Sequence, residues 1–306
     1  MKNICFFSHG HNGDIAHTKT FLFDIVNQLD IPCFYYHEKN KRLTQDLPLV
    51  TLMEISLPEE IDPFIHKFIE TEDTLYINIW LAPWRIDGSP LFYNINLSSF
   101  YNMFTYICEH INSLFGTNVK LKSVDSYFPI IDFNYVEKEK INSYVERSSN
   151  KKILFCNGPT LSGQSYYNGD MSGVIKDLSI KYKNIDFIAT QKFDIDNLHT
   201  FSGPIKKNIY FTDDIIQIRN CDLNEIGYLS TFCNVIVGRT SGPFCFSTIM
   251  ENYKNPQKIF YMMGQDRKKF CFHGDVKIDA KFIFKNDINE EMIYNTIDFI
   301  IKENLE

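Results

Sequence analysis

The sequence predicts an α/β protein made of two similar halves, each a mostly parallel sheet covered by helices. Three observations carry this. Short apolar runs that read as buried strands alternate with helical spacing along most of the 306 residues. The succession strand, loop, helix begins twice, near residue 1 and again near residue 152. At both starts a glycine-bearing loop separates strand from helix, as in Rossmann-like units. A chain of this length also suits two domains at roughly 100–200 residues each. They are expected at 1–148 and 149–306, sharing a pattern without a close sequence repeat.

In the first half, Asn3 to Ser8 reads as a buried strand and His9-Gly10-His11-Asn12-Gly13 as a loop. From Asp14 onward, Ile15, Thr18, Leu22, Ile25, Val26 and Leu29 recur at three- and four-residue spacing, which predicts a helix. Pro32 opens the next strand, Cys33 to Tyr36, and completes a β-α-β unit. Thr74 to Leu81 reads as a further strand, and Ser99 to Phe115 as a long helix stopped by Gly116. Val136 to Arg147 is expected as a helix leading into the linker.

The second half restarts with a strand at Lys152 to Cys156 and a loop from Asn157 to Gly163. A helix over Gly173 to Tyr182 and a strand over Ile185 to Ala189 follow. Further strands are expected at Asn208 to Phe211, Val235 to Val237 and Lys258 to Tyr261, with a helix at Leu223 to Thr231. The last helix, Glu290 to Glu303, is a candidate to cross back onto the first domain. Short apolar strands alternating with helices imply parallel sheets covered on both faces.

Composition narrows the function. With 31 Lys and Arg against 38 Asp and Glu, the net charge is −7. That lacks the basic field a general nucleic-acid binder needs, while leaving room for a local basic pocket. The eight cysteines form no C-x-x-C pair and mostly lie in apolar runs, where a thiol behaves as a small buried hydrophobe. After Lys2 only a short apolar run, Ile4 to Phe7, occurs, with no cleavage-site pattern. No apolar stretch reaches the ~18 residues of a membrane span. A reducing, cytoplasmic setting is expected.

Three loops fall at expected carboxyl ends of parallel strands, where open α/β sheets bind ligands. In the first, Ser8 to Thr18, Asp14 stands at a helix start. It is either a helix cap or a general base for an acceptor hydroxyl. A helix N-terminus is expected to lower its pKa. His9, His11 and His17 flank the same glycine loop and are candidates for acceptor contact, with Gly13 allowing close backbone approach. In the second loop, Gly158, Thr160 and Ser162 can cradle a phosphate or form a plain polar turn. No G-K-[ST] follows, so the Walker pattern fails. In the third, the strand Val235-Ile236-Val237 runs into Gly238-Arg239-Thr240-Ser241-Gly242-Pro243, and a helix begins at Phe244. Hydroxyls, an arginine and a helix start suit a diphosphate. A polar turn capped by Ser241 is the simpler account.

At these loops the chain resembles the ADP-heptose:lipopolysaccharide heptosyltransferase family, glycosyltransferase family 9. Gly13-Asp14-Ile15-Ala16-His17-Thr18 is similar to that family's Gly-Asp loop and following helix. The helix from Leu223, the strand to Gly238, Thr240-Ser241-Gly242-Pro243 and the stretch from Pro256 to Gly264-Gln265-Asp266 are similar to its second signature. The resemblance implies a GT-B fold, two Rossmann-like domains facing a cleft. It implies metal-independent sugar transfer without a cofactor, with Asp14 as base. It also implies donor contacts from the Ser241-Gly242-Pro243 turn and the loop after Cys156. Thr240 stands where the family has Asp, and Cys245 where it has His, so ADP-heptose is not carried over as donor.

The function expected is therefore transfer of a sugar from a nucleotide-diphosphate sugar to a glycan or lipid-linked acceptor, as in lipopolysaccharide or other surface-glycan synthesis. A lipid-linked acceptor would suit a peripheral position at a membrane. Three rivals stand beside it. Asp194-Ile195-Asp196 forms a D-x-D that could hold a divalent ion in a metal-dependent transferase. The same scaffold could serve a nucleotide-sugar epimerase or hydrolase, or a non-catalytic nucleotide- or glycan-binding protein.

Overall fold

In the computed structural model the residues described are 2–47, 50–52, 57–86, 89–90, 96–160, 167–195, 199–200, 203–204, 208–218, 221–264, 272–273 and 276–306. The chain divides into two compact units, Met1–Tyr135 with Lys268–Lys277, and Val136–Arg267 with Ile278–Glu306.

The first unit contains β1 (Asn3–Ser8), α1 (Asn12–Val26), β2 (Cys33–His37), β3 (Thr51–Leu52), β4 (Phe68–Glu70), β5 (Thr74–Asn78), a hairpin of β6 (Arg85–Ile86) and β7 (Ser89–Pro90), and α2 (Leu97–Phe115). Its sheet runs β3-β2-β1-β5-β4, parallel except for β4 against β5. β1 is buried from Ile4 to Ser8 because neighbours pair with it on both sides. β5 stops at Asn78, three residues earlier than the apolar run suggested. Asn78 donates to the Pro63 and His66 carbonyls and accepts from the Trp80 amide, which turns the chain out of the sheet. α2 is capped by Asn96 and ends on Gly116 at φ 65°, a left-handed stop that glycine adopts without strain.

The second unit contains α3 (Glu139–Arg147), β8 (Lys151–Cys156), α4 (Ser172–Lys181), β9 (Ile185–Ala189), a hairpin of β10 (His199–Thr200) and β11 (Gly203–Pro204), β12 (Ile209–Phe211), α5 (Thr212–Ile216), α6 (Leu223–Ser230), β13 (Val235–Gly238), α7 (Gly242–Ser247), α8 (Met250–Tyr253), β14 (Ile259–Met263), β15 (Lys281–Lys285) and α9 (Glu290–Asn304). Its sheet is wholly parallel, in the order β12-β9-β8-β13-β14-β15. This is the doubly wound order, and its direction of travel reverses between β8 and β13. The edge strand β15 was not anticipated. Its sequence, Lys-Phe-Ile-Phe-Lys, is half-exposed and lacks the unbroken apolar run of the central strands.

Two expectations about organisation change. The boundary falls before α3, because side chains along and just after that helix bind the second unit. Tyr144, Ser148 and Asn150 all donate to the buried carboxylate of Asp186 on β9. The last helix belongs to the second unit. Ile293, Ile297, Ile300 and Ile301 pack into the second unit's core beside Val174, Leu178 and Tyr261. Each such isoleucine contributes about 2–5 kcal/mol relative to alanine. The segment that joins the first unit is instead 268–277, whose Phe272 carbonyl accepts from the Leu97 amide at 2.5 Å. Among the described residues no helix is long and apolar enough to cross a membrane.

Candidate functional site

In the first unit, β1 delivers the chain to the carboxyl edge of the sheet at Ser8. The Gly10 amide donates to Ser8 Oγ at 3.2 Å. A Cβ on Gly10 would stand 2.7 Å from Asp14 Oδ2, so the backbone passes the carboxylate more closely than any side chain permits. His11 is the N-cap of α1 and Asp14 its third helical residue. Asp14 Oδ2 accepts from the His11 amide at 2.7 Å, so the capping role is real. It engages one oxygen, and no hydrogen bond to Oδ1 forms among the described residues. The pKa moves opposite to the expectation. Burial raises it, and the His11 amide together with the charges of His11 and Lys39 offset this only in part.

The acceptor candidates on this loop separate. His11 is exposed and Gly13 half-buried in the first turn of α1. His17 is a core residue, which overturns its assignment to acceptor contact. It is 4% exposed, stacks on Phe272 at 4.4 Å and meets Phe100 edge-on at 5.7 Å. Burial lowers its pKa to about 3, so the ring is neutral.

In the second unit, the loops after β8 and β13 meet at the reversal point of the sheet. Asn157 ties the ends of β8 and β9 together, accepting from the Gln191 amide at 2.8 Å and donating to its carbonyl at 2.9 Å. Arg239 follows β13 and is 1% exposed. Its guanidinium donates to the carbonyls of Asn157, Tyr167 and Gly169 and to Asn168 Oδ1. The Tyr167 ring covers it, 5.7 Å away. The expectation that Arg239 grips a diphosphate is thus overturned. Its four hydrogen bonds hold the loop after β8, and the role is positioning.

Asn168 is the hub of this arrangement. Its Oδ1 accepts from Arg239 and from the Thr160 amide at 2.8 Å, and its Nδ2 donates to the Thr160 carbonyl. It was missed in the sequence, although Asn168-Gly169 is a turn signal. Among the described residues, Thr160 Oγ1, Arg239 Nε and Ser241 Oγ are all buried without a partner. Buried polar atoms are ordinarily paired, so the two unpaired hydroxyls, of Thr160 and Ser241, on one hydrogen-bonded assembly suit an incoming polar ligand.

Ser241 is the N-cap of α7, with Gly242 and Pro243 in its first turn and Thr240 half-buried before it. The Ser241 hydroxyl makes no cap bond, which overturns the simpler account of that residue. Among the described residues a Cβ on Gly158 would meet only Gln191, at 3.6 Å. Gly238 is different: a Cβ would stand 2.7 Å from Phe244 and 2.8 Å from Cys156, so it serves packing. Ser162 and Asp196 lie outside the described residues. Asp194 is exposed, and Lys192 pairs with Asp214.

No protein-family model matches this sequence, and no curated protein is a match. Solved structures do match along the whole chain. The glycosyl transferase of family 9 from Veillonella parvula is similar at TM-score 0.52 and 12% identity, over 97% of this chain and 91% of that one. The E. coli heptosyltransferase WaaC with ADP is similar at TM-score 0.52 and 11% identity, over 99% of each. The same enzyme with ADP-2-deoxy-2-fluoro heptose gives 0.51 and 10%, again over 99% of each. The fold is that of the heptosyltransferase-type GT-B proteins. This bears out the fold class expected from the two strand–loop–helix starts. At such identities the likeness carries the fold and leaves the chemistry to the residues above.

Proposed function

We propose that this protein is a glycosyltransferase using a nucleotide-diphosphate sugar as donor, without a cofactor or metal ion. The observation that carries this reading is the pair of hydroxyls unpartnered among the described residues, Thr160 Oγ1 and Ser241 Oγ, at the reversal point of the second sheet. Open α/β sheets bind ligands there. A diphosphate offers the acceptor oxygens these donors lack. That one similar protein, WaaC, is solved both with ADP and with an ADP-sugar supports the same choice.

In this reading Asp14 is the base. The acceptor hydroxyl attacks the anomeric carbon and gives its proton to the carboxylate as the bond to the diphosphate oxygen breaks. The pair of electrons leaves with the nucleoside diphosphate. The Thr160 and Ser241 hydroxyls stabilise the charge that gathers there. Arg239 does so indirectly, by fixing the loop that presents Thr160. A carboxylate whose pKa is raised is a better proton acceptor than the depressed one expected of a helix cap. Donor sugar and base are left open, and the acceptor is a glycan or lipid-linked sugar.

Calorimetry with nucleoside diphosphates and nucleotide sugars tests the donor side. Ser241→Ala and Thr160→Val each remove one donor and should weaken binding by about 10–150-fold, the worth of a hydrogen bond to a charged group at about 1.5–3 kcal/mol. If no nucleotide binds the wild-type chain, the reading is wrong. Binding without sugar transfer to any acceptor would leave the non-catalytic alternative in its place.

A further inference from the structure

A cavity of about 360 Å³ opens at the carboxyl edge of the first sheet. Its described lining comes from the ends of β1 and β2 and from the segment 57–63. Ser8 and His9, which follow from β1, form one wall. Tyr36 and Glu38, from the end of β2, form another, and Glu59 and Ile61 close it from the segment 57–63. The loop that begins with these β1 residues is the one that carries Asp14.

Two features of this cavity are chemical. The first is aromatic and lies beside the cavity: Phe64 and Trp80 are not in its described lining but touch His9, which is. The His9 ring meets Phe64 at 5.4 Å and Trp80 at 5.6 Å, and those two meet each other at 4.9 Å, all edge to face. Phe64 is nevertheless 59% exposed and its neighbour Ile65 68%. A ring held by its neighbours yet open to solvent presents an apolar face to a ligand. The C–H face of a pyranose is such a ligand.

The second feature is charge. The described lining has Glu38 and Glu59 and no Lys or Arg. His9 Nδ1 lies 3.4 Å from Glu38 Oε1. The adjacent Lys39 is not part of the wall, and its charge acts on Asp14. A ligand carboxylate or phosphate here would meet two carboxylates with no lysine or arginine to pair with. Such an arrangement rejects anions by repulsion. Sugar hydroxyls can donate to the same carboxylates, and an ammonium group pairs with them.

We propose that this cavity is the acceptor subsite and that it selects a sugar free of acidic groups, with a free amino group favoured. The acceptor role rests on the transferase reading; the ligand chemistry does not. The sugar's apolar face lies on Phe64 and Trp80, and its polar edge turns to His9, Glu38 and Glu59.

The test is a ligand-observed NMR titration of the full chain, without donor, using methyl glucosaminide, methyl glucoside and methyl glucuronide. The glucosaminide should bind tightest and the glucuronide at least about 10-fold more weakly, near 1.4 kcal/mol. Phe64→Ala should weaken all binding about 10-fold. Glu38→Gln with Glu59→Gln should bring the amino and neutral sugars within about 3-fold of each other. Phe64, Glu38 and Glu59 are exposed, so the variants should keep the wild-type melting temperature. A glucuronide that binds as well as the others overturns the proposal. So does the absence of binding by any glycoside, or binding indifferent to these substitutions. Nucleotide calorimetry on the same samples separates the two readings. Glycosides bound without nucleotide would sink the transferase and leave this site. Nucleotide bound without glycosides would do the reverse.

Discussion

Gly10 and Asp14 are in such close contact that a Cβ on the glycine would stand 2.7 Å from the carboxylate Oδ2 and 2.8 Å from the aspartate Cβ. Gly10→Ala must therefore push Asp14 aside or strain the loop, at a cost of about 1–3 kcal/mol. The expected result is a folded protein with sugar transfer reduced at least about 100-fold, the lower range for losing a general base. Transfer assays beside a thermal melt check this. An alanine variant as active as wild type would show that the carboxylate's position does not matter.

Asp14→Asn keeps an oxygen for the His11 amide and removes the base. We expect kcat to fall about 10²–10⁴-fold with little change in donor affinity. The wild-type rate should rise with pH through the Asp14 pKa, which burial places above the ordinary carboxylate value. That limb should vanish in the variant. A variant that loses only stability would return Asp14 to the role of cap.

Arg239→Ala should act on the loop rather than at the ligand. It strips four hydrogen bonds from the carbonyls of Asn157, Tyr167 and Gly169 and from Asn168. A loss of about 3 kcal/mol is expected. Arg239→Lys should recover little, because an ammonium cannot reproduce the planar fork. Asn168→Ala should loosen the same loop, lowering the melting temperature and nucleotide affinity together, without touching the charge. Arg239→Ala with an unchanged melting temperature and lost nucleotide binding would point to direct contact instead.

His17 makes the first unit sensitive to acid. Its folded pKa, about 3, lies below the ordinary 6.5. A depressed histidine contributes stability that is fully present above pH 6.5 and is lost as pH falls toward 3. By the acid end the loss is on the order of 5 kcal/mol. His17→Phe keeps the stack on Phe272 and cannot be protonated. Urea midpoints across that window should fall less steeply in the variant, and equal slopes would refute the assignment.

Much of the fold was legible because its signals are local. Asn3 to Ser8 and Ile185 to Ala189 read as strands from apolar runs alone, and the structure places the same residues in β1 and β9. β15 was illegible because an edge strand is half-exposed and its lysines break the apolar run. At the candidate sites, residue type pointed to loops but not to roles. An arginine after a strand looks the same in sequence whether it faces an anion or its own backbone, and Arg239 faces its own backbone.

By itself the sequence determined the alternation of strands and helices, the two starts and the loops where chemistry can occur. These follow from hydrophobic period and turn residues, which act over a few positions. Only the tertiary structure decided that His17 lies beneath Phe272, that Asn168 ties Thr160 to Arg239, and that Phe64 and Trp80 gather at His9. Each joins residues distant in the chain, and burial and hydrogen bonding between such residues are set by packing, which no local pattern records.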